Sequence, residues 1–413
     1  MTGTDLAGDP DYRLFCEERL EDPYPLFHRL RAADPVHWCE PGQYWLLTRY
    51  ADVFPLLSDP RLSSNRMAMY HQNVPPDLQQ RVQPLLTNIS NWLILLDAPD
   101  HVRLRRLVNV AFTPRMLTLL KPRIEQVADE LLQQTIDQAD GRPVNILETF
   151  CYPLPATVIC DMLGLPPEEH DNFRRWAGRV VDFSTRAGPP MRAYAEQANE
   201  NMVALIGGLN RLIDHRRRRP GEDLMSGLIT AEEDGDRLNH DELLALGVFL
   251  FIAGHETTMH LIANGLLSLL QHPDQFEKLK TDVAGKVERT VEELLRYDNS
   301  VTRAVRQAKE DIEVAGKLIR RGQTLVLLLG AANRDPAQFT DPDRLDIERH
   351  PNKHASLGWG PHFCLGGQLA RLEIDIALRG IVRLLPEVRL AEQDFAHRPT
   401  FGIRALDALW VKV

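Results

Sequence analysis

SLGWGPHFCLGG, residues 356–367, is the stretch on which the reading of the whole chain turns. Gly358, Gly360 and Gly366 flank Cys364, and the residues from Gln368 onward are strong helix formers, so the thiol is expected on a glycine-flexed loop at the N-terminus of a helix. Free N–H groups and the positive dipole end at such a terminus favour thiolate over thiol, and thiolate is the form that ligates a metal. The glycines also let the backbone approach a flat ligand closely. Cys16, Cys39, Cys151 and Cys160 carry no such surroundings and read as small buried hydrophobes.

Two other constellations carry chemistry. A long apolar helix over 243–270, opened by Asn239 with Glu242 three residues later in the manner of a capping box, is interrupted by AGHETT, residues 253–258. Polar groups inside a buried helix need a reason. The Thr257 hydroxyl can bond back to the Ala253 carbonyl, and with Gly254 adjacent this can open the helix into a notch for a small ligand. Glu256 beside Thr257 makes an acid–alcohol pair suited to proton delivery. Farther on, Glu293 and Arg296 stand three apart on one helical face; by themselves they would be a solvated pair worth about 0.2–0.5 kcal/mol.

The 413 residues carry 58 acidic and 48 basic side chains, a net charge of −10 that repels phosphate backbones and anionic lipid, so nucleic acid is excluded as a partner. Five scattered cysteines without a CxxC pair give no disulfide framework or structural zinc site. The N-terminus lacks the basic start and apolar core of a signal peptide, and no run reaches the ~18 apolar residues of a membrane span; a cytoplasmic protein is expected. A short helix and a small strand pair are read over 22–50, and a mainly helical region follows over 99–270. Strand-like pieces (IEVAG, TLVLLL) lie beyond Val301, then proline-rich coil, then a last helix over 368–385. The basic run 215–219 before Pro220 and Gly221 reads as cations closing a helix C-terminus.

Taken together and in order, AGHETT, EELLR (292–296) and GWGPHFCLG (358–366) closely resemble the cytochrome P450 family in its soluble bacterial form. The similarity extends to DAPDHVRLRRLVNVAFTPR (97–115), AANRDPAQFTDPDRLDIER (331–349) and LARLE after the cysteine, leaving the extreme N-terminus and the loop 63–90 poorly matched. The resemblance implies a mainly α fold with a small β region, a helical prism with haem between the long central helix and the Cys364 loop. It is expected as a single domain, 1–413, α-rich over about 97–300 and 365–386, with β structure over about 35–50 and 301–330 and in C-terminal strands. It further implies haem b with Cys364 as axial thiolate, Glu256 and Thr257 as the proton-delivering pair, and Glu293 and Arg296 as a buried structural ion pair. His101, Arg105, Arg306 and His362 match propionate contacts, with His354 as a further candidate; Ala253, Gly254, Leu357 and Gly358 border the cofactor. Two positions depart from the family pattern. Leu357 stands where a Phe usually packs beside the thiolate, and Ser300 where a Pro usually follows the ExxR helix.

The implied activity is insertion of one oxygen atom from dioxygen into a lipophilic molecule, by hydroxylation or epoxidation, with polyketide or macrolide and terpenoid tailoring ahead of steroid or fatty-acid hydroxylation. Trp92, Leu93, Phe249, Ala253, Val301, Ala304, Phe401 and Ile403 are the expected substrate pocket, and 63–90 its lid and specificity loop. No flavin or ferredoxin segment fits in the chain, so electrons are expected from a separate ferredoxin and its NAD(P)H-dependent reductase, with Arg103, Arg106 and Arg371 as docking candidates on a monomer. A haem sensor or carrier would need neither Glu256 nor Thr257. A cysteine hydrolase built on Cys364 would leave the distant Arg and His set without a purpose.

Overall fold

The computed structural model describes residues 22–40, 42–111, 113–185, 191–233, 236–398, 400 and 402–413. Cys16, Phe401 and the N-terminal segment read above lie outside them. The chain forms two compact units, each from separated stretches: Met1–Ser63, Ala128–Cys151 and Thr257–Val413 in one, Ser64–Val127 and Tyr152–Glu256 in the other.

The first unit, which carries Cys364, is built on a five-stranded sheet. Val36–Cys39 pairs antiparallel with Tyr44–Leu47, which runs parallel to Thr324–Leu328; Arg303–Ala308 and Leu62–Ser63 complete the order. Thr324–Leu328 reads as an unbroken apolar run because both sheet faces are covered. Leu47, Leu325 and Leu327 enter a core with Val53, Leu57 and Ile319, whereas Leu46, Val326 and Leu328 face Phe27 and Leu30 of the helix Tyr24–Ala33. Three helices of the same unit pack on one another, where Gly265 leaves room for Leu294 and Ile374: a Cβ there would lie 3.0 Å from Leu294. These are the C-terminal part of His240–Gln271, the helix Val283–Tyr297 and the helix Gly367–Leu384.

The second unit is helical. Met191–Arg218 packs on His170–Thr185, with Gly208 set against Phe173, and ends in His215, Arg216, Arg217 and Arg218. Residues 63–90, expected as a loop, instead hold the helices Met67–Asn73, Pro76–Gln79 and Gln83–Ser90. Prolines sit in the first turn of the last two, where proline's missing N–H costs nothing. The Leu85 N–H donates to Asn199 Oδ1 at 3.2 Å and Arg192 pairs with Asp77 at 2.6 Å, tying the segment to Met191–Arg218. Asn239 and Glu242 exchange the reciprocal bonds of a capping box, both 2.9 Å, at the start of the long helix. That helix is continuous from His240 to Gln271 through the acid–alcohol segment expected to interrupt it. Gly254 there holds Ile159 so close that a Cβ would meet it at 2.9 Å, so the small residue serves helix packing in this unit. Its length and composition would suit a membrane crossing, but 72% of its apolar window is buried.

Candidate functional site

The Cys364 loop is shaped by backbone bonds that its glycines make accessible. Gly358 and Gly360 adopt φ of 73° and 74°, a region costly for residues with a side chain, and at Gly360 a Cβ would strike Ser58 at 2.4 Å. The Cys364 N–H donates to Leu357 O at 2.8 Å and Cys364 O accepts from Gly367 N at 3.3 Å, which presents the residue immediately before the helix Gly367–Leu384. Cys364 is half-buried, whereas Cys39, Cys151 and Cys160 are buried. Burial pushes the Cys160 thiol up to about 12 and the Cys151 thiol higher still, so neither is a thiolate at neutral pH.

Among the described residues no three His, Cys, Asp or Glu side chains gather as a metal cage. A lone sulfur on an open loop suits a metal that brings its other equatorial ligands with it, as a porphyrin does. The donor set fits haem in that respect.

Behind the loop, Glu293 and Arg296 are fully buried and bound side-on, Nε to Oε2 at 2.8 Å and Nη2 to Oε1 at 2.7 Å. Glu293 also accepts from Asp346 N, Arg349 Nε and Asn352 Nδ2, while Arg296 donates to the carbonyls of Asn333, Pro342 and Arg344. Every charge in this group is answered, as burial demands. Glu292, one residue earlier, turns to other partners: Arg371 Nε at 2.5 Å and Nη2 at 3.1 Å, and His354 Nε2 at 3.1 Å. Burial works against the Glu292 carboxylate, but hydrogen bonds and charge from His354 and Arg371 outweigh it and hold it down at about 2.

His354, a further candidate from the sequence, has its Nε2 on Glu292, and its Nδ1 accepts from Ser356 N at 3.3 Å. Arg371 is paired with Glu292, and Arg103 in the second unit with Glu242 and Asp236.

Several other predicted residues of the first unit lie on or beside the strand Arg303–Ala308. Val301 bridges Ile403, Thr302 N donates to Gly402 O at 2.9 Å, and Ser300 O accepts from Arg404 N at 2.7 Å, so the turn without its usual proline is held by the C-terminal segment. Arg306, buried on the strand with Ala304, donates to the Val305 and Leu57 carbonyls. Thr257 begins this unit's part of the long helix.

In the second unit, Asp100–Ala111 carries His101, which is buried, and Arg105 one turn on. Trp92 and Leu93 are buried; the Trp92 ring lies 5.9 Å from Phe249 and its Nε1 donates to Asn88 Oδ1. Glu256 is 5% exposed, with His255 Nε2 3.7 Å from its Oε2. His255 in turn packs edge-on to Tyr152, centroids 5.4 Å apart. Sequence reasoning assigned no role to His255 or Glu292. The doubled acid of EELLR was the available signal for the second.

A family model described as Cytochrome P450 matches residues 75–385. The chain is 40% identical over 409 residues to "Vitamin D(3) 25-hydroxylase" of Pseudonocardia autotrophica, covering 98% of this chain and 96% of that protein. It is 38% identical to "Cytochrome P450 monooxygenase PikC" of Streptomyces venezuelae, over 95% and 91% of the two chains. The solved structure of the Bacillus subtilis bacillaene polyketide synthase cytochrome P450 PksS superposes with a TM-score of 0.87 at 35% identity, covering 97% of this chain and 99% of that one.

Proposed function

The chain belongs to the cytochrome P450 family of haem-thiolate monooxygenases, and from that premise we propose that it hydroxylates or epoxidises a lipophilic small molecule of medium or large size in the tailoring of a polyketide, macrolide or terpenoid. The observation that carries the reading is the half-buried Cys364, held by its N–H to Leu357 O at the mouth of a helix. The cofactor is haem b. When bound it supplies activation of dioxygen at iron, which a thiolate ligand favours by donating electron density.

The chain's own residues then divide the work. Cys364 would supply the thiolate, and His101, Arg105, Arg306 and His362 the cationic and N–H donors that propionate carboxylates require. Ala253, Gly254, Leu357 and Gly358 would border the ring. Glu256, buried beside His255, would take protons from the solvent side, and the Thr257 hydroxyl would hold a water for their delivery. Trp92, Leu93, Phe249 and Ala253 in one unit and Val301, Ala304 and Ile403 in the other are apolar, which supports a lipophilic substrate and exclusion of water. Electrons would come from a separate ferredoxin with its NAD(P)H-dependent reductase, to a cytoplasmic monomer.

Spectral titration tests the substrate class. A macrolide or terpenoid should displace distal water and shift the haem to high spin, and reconstituted turnover with a surrogate ferredoxin and reductase should then give a product heavier by one oxygen atom. A spin shift and product with fatty acids alone would replace this substrate class.

A further inference from the structure

We propose that Arg371, oriented by Glu292 and His354, sets how strongly Cys364 donates to iron and thereby the reduction potential of the haem, acting as a positioning residue that touches neither haem nor substrate. The proposal rests on Cys364 being the axial thiolate.

Arg371 stands one turn beyond Gly367 on the helix that follows the cysteine, and its Nη1 points back to Gly367 O at 3.4 Å. A Cβ placed on Gly367 would lie 3.6 Å from that Nη1, 3.7 Å from Cys364 Cβ and 3.3 Å from Leu357 Cδ1, so the guanidinium and the cysteine flank the same bare glycine. The opposite edge of the guanidinium, Nε and Nη2, is fixed by Glu292. His354 holds the same carboxylate and is itself oriented by Ser356 N–H. With Arg371 and Glu292 only 27% and 29% exposed, the field between these groups is screened less than at an open surface.

A fixed positive charge on the flank of the cysteine loop stabilises the thiolate's negative charge, weakens donation to iron and favours the reduced state; second-sphere partners tune metals in this way. Glu292 opposes that effect from the far edge. Potentiometric titration of the haem-loaded protein should therefore give a lower midpoint for Arg371→Gln, a higher one for Glu292→Gln, and a near-normal one for Arg371→Lys, which keeps the charge. Opposite signs are something a merely structural pair would not produce. Shifts of one sign, or none, in variants that keep the red-shifted carbon monoxide band overturn the proposal alone. Absence of that band from the unsubstituted, haem-loaded protein overturns the thiolate reading and the proposal with it. Should Arg371→Gln not fold, Glu292→Gln decides: an unchanged or lower midpoint overturns the proposal.

Discussion

Glu292 and Glu293 are consecutive on the helix Val283–Tyr297, yet they serve different regions. Glu293 faces inward, wholly buried with Arg296 and answered by Arg349 and Asn352. Glu292, about 100° round the helix, meets Arg371 and His354 on the cysteine side and keeps about a third of its side chain exposed. The chemistry of the two pairs is the same, a carboxylate with a side-on guanidinium. The surroundings decide the duty: without water the pair becomes scaffold, since neither charge tolerates loss of the other, whereas partial exposure leaves a pair that can be altered with the fold intact.

The largest expected effect follows directly. Arg296→Met leaves the buried Glu293 with Arg349 as its one cationic partner and takes the donor from the Asn333, Pro342 and Arg344 carbonyls, and it should destabilise the protein by about 3–5 kcal/mol in chemical denaturation. Arg371→Met should cost no more than about 1 kcal/mol. Equal losses would break the contrast.

Glu373 sharpens it from the other side. This acid is buried on the Arg371 helix with one carboxylate oxygen lacking a partner, and burial raises its titration well above the ordinary range. A raised carboxyl contributes its stability below the ordinary value near 4.5 and loses it as pH rises. Thermal melts should show this loss on alkalinisation for the natural chain and not for Glu373→Gln.

Two groups with large shifts act on the acid side. Burial lowers His397 to about 3, helped by the Arg404 charge, so stability falls as pH drops from about 6.5 toward 3, and His397→Phe should flatten that slope. Glu292, depressed to about 2, contributes fully above about 4.5 and loses its share as pH falls toward 2; Glu292→Gln should make that limb of the profile shallower. The smallest change is expected from Leu357→Phe, which should retain haem and shift its potential modestly. An unchanged midpoint would show that this neighbour of Gly367 is not a tuning site.

Local signals were legible in the sequence because their physics is local. The glycines around Cys364, the Asn239–Glu242 box and the apolar run of Thr324–Leu328 each declare themselves within a few residues, and the last helix starts at Gly367, one residue from its expected place. What escaped depends on distance along the chain. The helices of 67–90 are tied by Leu85 to Asn199, 114 residues away. Glu292 meets Arg371 across 79 residues, and no spacing in EELLR says which acid turns inward. His354 was expected with propionates because a histidine near the cysteine suits them; its engagement by Glu292 follows from the helix register.

The central claim, that Cys364 is a haem-iron thiolate, is met most directly by the carbon monoxide difference spectrum of the reduced protein. The account predicts a strongly red-shifted Soret band in the natural chain, absent from a folded, haem-loaded Cys364→Ser variant. A haem-replete, natively folded protein that lacks the red-shifted band, or a Cys364→Ser variant that keeps it, would contradict the account.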